Sequence, residues 1–96
     1  MLALITIDVK TDEKQDRIVN TLKKMGSWAR ISHEVWALQT TEHSIKGIRD
    51  VLGADLELEE SVFVVDMSES RWSCRGVKTP AARFLQEKQR QELGVW

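Results

Sequence analysis

A single cysteine, Cys74, stands in 96 residues. It has no partner for an intramolecular disulfide, which leads us to expect a reducing, intracellular setting. No stretch approaches the roughly 20 apolar residues of a membrane span. The N-terminus lacks the basic start and cleavage site of a signal peptide, so the expectation is a cytoplasmic chain that does not enter a membrane. CxxC, HExxH, GxSxG, P-loop and GxGxxG patterns are all missing, so no motif announces a metal, hydrolase or nucleotide site. The net charge of −1 argues against a generally basic nucleic-acid binder. What is present is ordinary globular composition, 42% hydrophobic and 30% charged, in a length suited to one core.

The charges are unevenly spread. Residues 50–69 hold seven acids (Asp50, Asp55, Glu57, Glu59, Glu60, Asp66 and Glu69) and no Lys or Arg. Residues 71–90 hold six bases and one acid, Glu87. The two blocks are solvated faces, attract each other between protomers, or steer a phosphate-bearing ligand to the basic end.

Residues 2–9 read as a strand with apolar residues on both alternation sets, as in a central strand covered on both faces. Thr11 or Asp12 caps a helix whose apolar face is Ile18, Val19, Leu22 and Met25, with Gly26 as its stop. Residues 28–38, "WARISHEVWAL", read as one strand with Trp28, Arg30 and Trp36 on a mixed face suited to an interface. An extension through "QTT" is a candidate for a small extra strand, which the sequence does not fix. Thr41 caps a second helix with Ile45, Ile48, Val51 and Leu52 at helical spacing. Gly47 weakens that helix by roughly 1 kcal/mol against Ala. "SVFVVDM", 61–67, reads as a strand, and "RWSCRGV", 71–77, as a short edge segment. Thr79–Pro80 starts a last helix, polar from Gln86 to Glu92, whose far end is expected to project.

The order β-α-β-(β)-α-β gives the expected class: α+β, a ferredoxin-like βαββαβ antiparallel sheet with two helices on one face. An edge segment and a C-terminal helix follow. The expected division is a domain over 1–78 and a helical extension over 79–96. Strands apolar on both faces need a second cover. A second copy supplies it, with Leu4, Trp36 and Val64 as expected homodimer contacts; the competing cover is the C-terminal helix folding back.

Among the candidate chemical groups, His33 reads as a strand or core histidine, His43 as a solvated residue in the first turn of the second helix, and Cys74 as a passive thiol. Asp8 ends an otherwise apolar strand. It is either a polar residue leaving the sheet or a hard oxygen ligand for Mg²⁺ or Mn²⁺. One carboxylate per chain binds such an ion poorly, so the second role requires a dimer.

The "ITIDV" strand tip, the segment "LKKMGSWARISHEVWAL" and the later "FVVDM" resemble the CRISPR-associated protein two family and its SinR-like relatives over roughly residues 2–77. The resemblance implies a ferredoxin-like fold and a homodimer. It also implies that Asp8 faces its dimer mate and is linked to metal-dependent phosphodiester cleavage. Other members of that family act as a dimeric scaffold holding duplex DNA beside an integrase. The related virulence-associated protein D toxins suggest RNA cleavage. Gly26 and Arg30 keep the family pattern, while Ser32 stands in place of a glutamine and Glu34 in place of a serine. These departures bear on cleavage more than on fold.

Three functions follow as expectations. The first is a dimeric binding module contacting nucleic acid or a protein through Arg30, Arg71, Arg75 and Lys78. The second is a metal-dependent nuclease with Asp8 paired across the dimer. The third is a toxin-like or regulatory protein acting on a protein partner through the tryptophan-bearing sheet face.

Overall fold

Alternating apolar residues make Leu2–Asp8 the first strand, β1. In the computed structural model, which describes residues 1–94, β1 lies between two neighbours. It pairs antiparallel with β3 (Val35–Gln39) on one side and β4 (Ser61–Asp66) on the other. β3 pairs antiparallel with β2 (Ser27–Ser32), so the sheet order is β2-β3-β1-β4. Helices α1 (Asp12–Lys23), α2 (Ile45–Leu52) and α3 (Thr79–Leu93) complete a small α+β fold. Positions 95 and 96 of the expected extension lie outside the described residues.

The two alternation sets of β1 serve two packed layers. Ala3, Ile5 and Ile7 join Trp36 and Leu38 of β3 against Ile18, Val19 and Leu22 of α1 and Ile48 and Leu52 of α2. Burying each large side chain of this kind contributes about 1.5–3 kcal/mol. On the opposite face, Leu2 and Ala37 pack with Met67 and with Leu85 of α3.

Local chemistry sets the helix ends. The Thr11 hydroxyl accepts a hydrogen bond from the Lys14 amide at 3.2 Å, and Asp12 and Glu13 occupy the positive first turn of α1. Ser44, rather than the expected Thr41, caps α2 by accepting from the Gly47 amide at 3.0 Å. His43 therefore precedes the helix. Pro80 sits in the first turn of α3, where its missing N–H removes no helical bond, and Gly94 closes the helix at φ 70°.

Gly26 is not the helix stop expected, since α1 ends at Lys23 with Lys24 as its C-cap; it lies in the bend that leads into β2. A Cβ there would lie 2.0 Å from the Gln39 carbonyl oxygen, so the close approach of β2 and β3 requires glycine.

Further expectations are corrected. β3 ends at Gln39, so Thr40 and Thr41 form no extra strand. Residues 28–38 are two strands of a hairpin folded at His33–Glu34. Trp28 faces Leu38 and Arg30 faces Trp36, so even-numbered residues pair with even-numbered ones. Alternation therefore reads the same through the turn, and only the irregularity between Arg30 and Ser32 breaks it. Segment 71–77 forms no strand but a connector into α3.

The polar end of α3 does not project. Gln89 accepts from the Trp72 indole at 2.9 Å and donates to the Ser70 and Met67 carbonyls, and Glu92 pairs with the Met1 amine. With Leu85 4% and Ala81 5% exposed, α3 is packed onto the sheet that precedes it.

Candidate functional site

Asp8 is the last residue of the central strand β1, at one end of the sheet, opposite Ser61 and exposed to solvent. The acid held beside it is Glu60. Glu60 accepts from Lys14 Nζ at 2.5 Å, from the Lys10 amide at 2.9 Å and from the Glu57 amide at 2.8 Å. Lys14 Nζ also donates to the Asp55 carbonyl at 2.6 Å. These bonds lower the Glu60 pKa from 4.5 to about 2, the Lys14 contact contributing most. Glu60 thus clasps the β1–α1 and α2–β4 loops, and Asp8 is left outside the clasp.

Hard divalent cations collect several oxygens around one point. Among the described residues no group of three His, Cys, Asp or Glu side chains is placed to hold a metal ion.

The expected basic contacts divide between the two sides of the sheet. Arg71, Arg75 and Lys78 are exposed on the connector, which Trp72 anchors to the α3 side. Arg30 is the strand partner of Trp36, whose ring belongs to the core under α1 and α2, so Arg30 projects on that side and away from α3.

There Arg30 is held in place. Its Nε donates to the Ser32 carbonyl at 3.2 Å and its Nη2 to the His33 carbonyl at 2.7 Å, while its guanidinium lies 4.9 Å from the Trp36 ring centre. His33 is an exposed turn residue and not the strand or core histidine expected; its Nδ1 lies 3.2 Å from Arg30 Nη2. Gln15 of α1 donates to the His33 carbonyl at 3.0 Å, joining helix and hairpin. Between them runs a groove of about 510 Å³ whose charged lining is Asp12, Asp16, Lys23 and Arg30. Lys23 Nζ sits 4.4 Å from the Trp28 ring centre at the β2 edge. Sequence reading found Arg30 and the tryptophans. It missed Asp12, Asp16 and Lys23, whose only signal was their shared helix.

The expected dimer contacts prove to be inward or half-covered. Trp36 is 3% exposed within the helix-side core, leaving no surface for a partner, because its hairpin face lies under α1. Val64 packs against the same core, and Leu4 packs against the α3-side cluster. The large apolar side chain left bare on β4 is Phe63, 63% exposed and opposite Thr6. Val65, two residues on, faces Leu4 and is half-buried. α3 therefore covers the Leu2–Ala37 part of this face and leaves the part toward Phe63 and Asp8 open.

No helix among the described residues is long and apolar enough to cross a membrane. Comparison with known proteins gave no match to a family model, to a curated protein or to a solved structure.

Proposed function

We propose that this chain is a dimeric scaffold that contacts nucleic acid, with a ferredoxin-like fold. The sheet order β2-β3-β1-β4, with α1 and α2 on one face, supports that fold. The observation that carries the dimer is Phe63, exposed on an edge strand beside the half of the sheet that α3 leaves uncovered. Edge strands also present unpaired backbone donors and acceptors to a second copy. Arg71, Arg75 and Lys78 on the exposed connector supply the phosphate contacts.

The test is duplex DNA binding by the full chain across a salt series. Affinity that falls steeply with salt supports the reading, provided that Arg71→Ala, Arg75→Ala and Lys78→Ala each reduce the slope by about one. Absent binding at low salt, or binding indifferent to salt, rejects it.

A second reading, Mg²⁺- or Mn²⁺-dependent cleavage, is favoured by the place of Asp8 on the same open half of the sheet as Phe63. A dimer through this half brings two Asp8 carboxylates toward one another, which a single chain lacks. Cleavage lost in Asp8→Asn with the dimer intact supports it, and cleavage unchanged in that variant removes Asp8 from the chemistry.

A further inference from the structure

One edge of the sheet is guarded and the other is bare. β2 carries Arg30 and an irregularity between Arg30 and Ser32, features that discourage pairing with another edge. β4 reads Ser-Val-Phe-Val-Val-Asp, without lysine, arginine, proline or glycine. We infer that β4 pairs antiparallel with β4 of a second copy about a twofold axis at Val64, joining two sheets into one. This geometry rests on the dimer proposed above and specifies how its copies meet.

Backbone bonding fixes which groups of β4 are free. The Ile7 amide donates to the Glu34 carbonyl at 2.9 Å and the Thr40 amide to the Met1 carbonyl at 3.0 Å, so odd-numbered residues of β1 bond toward β3. The Met67 amide donates to the Leu2 carbonyl at 2.9 Å, so even-numbered residues of β1 bond toward β4. Bonded and non-bonded pairs alternate along an antiparallel ladder, so Ser61, Phe63 and Val65 turn their backbone groups to β1. Val62, Val64 and Asp66 turn theirs outward, where no strand meets them among the described residues.

One register uses all of these outward groups together. With Val64 on the axis, Val64 faces the partner's Val64 and Val62 faces the partner's Asp66. Centring on Phe63 instead sets Asp66 against the partner's Glu60, acid opposite acid, and the Glu60 amide is already bonded to the Glu57 carbonyl at 3.1 Å. Centring on Val65 sets Val62 against the partner's Ser68, whose amide is held by the Asp66 carboxylate at 3.0 Å. The Val64 register also brings Phe63, 63% exposed, opposite the partner's Val65 on the open face, an aromatic and β-branched pair.

Asp8 stands level with Ser61, and Ser61 falls opposite the partner's Met67. The two Asp8 Cα atoms are then about 20 Å apart along the strands and about 14 Å apart across them. Copies stacked face-on through the open half would bring these carboxylates together, as the cleavage reading requires. Edge pairing keeps them apart and agrees with the scaffold role alone.

The experiment is oxidative crosslinking of two full-chain variants, Phe63→Cys and Val65→Cys, each combined with Cys74→Ser. Across the axis, positions 63 and 65 form a non-hydrogen-bonded pair with Cα atoms about 4.5 Å apart, within disulfide reach. Each position lies about 7–8 Å diagonally from its own counterpart, beyond that reach. A mixture of the two variants should therefore crosslink, and either variant alone should not. With Phe63 and Val65 intact, the Val62 and Val64 amides should exchange hydrogen at least about tenfold more slowly than in the Phe63→Lys variant.

Self-crosslinking of either variant overturns the register. A dimer by light scattering that shows neither the mixed crosslink nor slowed exchange overturns edge pairing and leaves the dimer standing. A monomer at every concentration overturns both. A crosslinked dimer that fails to bind duplex DNA supports the pairing and sinks the scaffold reading alone.

Discussion

Lys14 on α1 reaches Glu60 at the start of β4, its ammonium 2.5 Å from the carboxylate, across 46 residues of sequence. The Glu60 side chain is 1% exposed and the Lys14 side chain 12%. This contact, with the Lys10 and Glu57 amides, makes Glu60 the fixed acid at the Asp8 end of the sheet.

The clasp predicts an acid-dependent stability. Glu60 has its pKa lowered from 4.5 to about 2, so its contribution is fully present above pH 4.5 and is lost as pH falls toward 2. Glu60→Gln should therefore be less stable than the parent at neutral pH, with the two converging near pH 2. Urea unfolding at a series of pH values tests this, and a constant difference down to pH 2 would count against the clasp.

The other end of the sheet carries a second acid-sensitive contact. The Met1 amine and the Gln39 side chain hold Glu92 of α3, the amine contributing most to the lowering of its pKa. Docking of α3 should loosen as pH falls below the ordinary glutamate range, because protonation removes the charged partner of the amine. Hydrogen exchange at the α3 amides, measured at neutral and acidic pH, should show earlier opening there than in β1 and β3. Uniform protection across all three would oppose it.

Gly26→Ala should be among the most damaging small substitutions in the chain. The added methyl would meet backbone, the Gln39 carbonyl at 2.0 Å, and not a side chain able to turn away. Overpacking of this kind costs about 1–3 kcal/mol, and about 1 kcal/mol lowers the melting temperature of a domain this size by roughly 4–8 °C. Thermal unfolding followed by circular dichroism reads it directly.

Leu85→Ala tests whether α3 contributes to the core. Leu85 is 4% exposed against Leu2, Ala37 and Met67. Truncating a buried leucine costs about 2–5 kcal/mol, and the lower end is expected here because this cluster is the smaller of the two. A loss below about 0.5 kcal/mol, the range of an ordinary surface change, would show that α3 adds little to the core.

Phe63→Lys separates fold from assembly. An exposed phenylalanine leaves the monomer's packing little changed when replaced, so stability should move by no more than about 0.5 kcal/mol. A dimer through β4 would be disrupted by the buried charge. Light scattering at low micromolar concentration should change from twice 11.0 kDa to 11.0 kDa. An unchanged dimer would place the interface elsewhere.

Sequence alone determined the elements whose signals are local. Apolar residues on both sides of Leu2–Asp8 marked a central strand, the 3.6-residue spacing of Ile18, Val19 and Leu22 gave α1, and Thr79–Pro80 gave the start of α3. These follow from side-chain periodicity and from proline's missing donor, which act within one or two turns of chain.

Tertiary structure decided the rest. The turn at His33–Glu34 carries no glycine or proline, and its register pairs like with like through most of the hairpin, so a period-two pattern could not reveal it. Only the pairing of β3 with β1 placed Trp36 under α1 and made it core. Whether α3 or a second copy covered the Leu2 face depended on contacts distant in sequence: Glu92 to the Met1 amine, and Leu85 to Leu2 and Ala37. The candidate site divides the same way: Asp8 and Arg30 were visible as residues, whereas their placement on opposite sides of one sheet was set by long-range strand pairing.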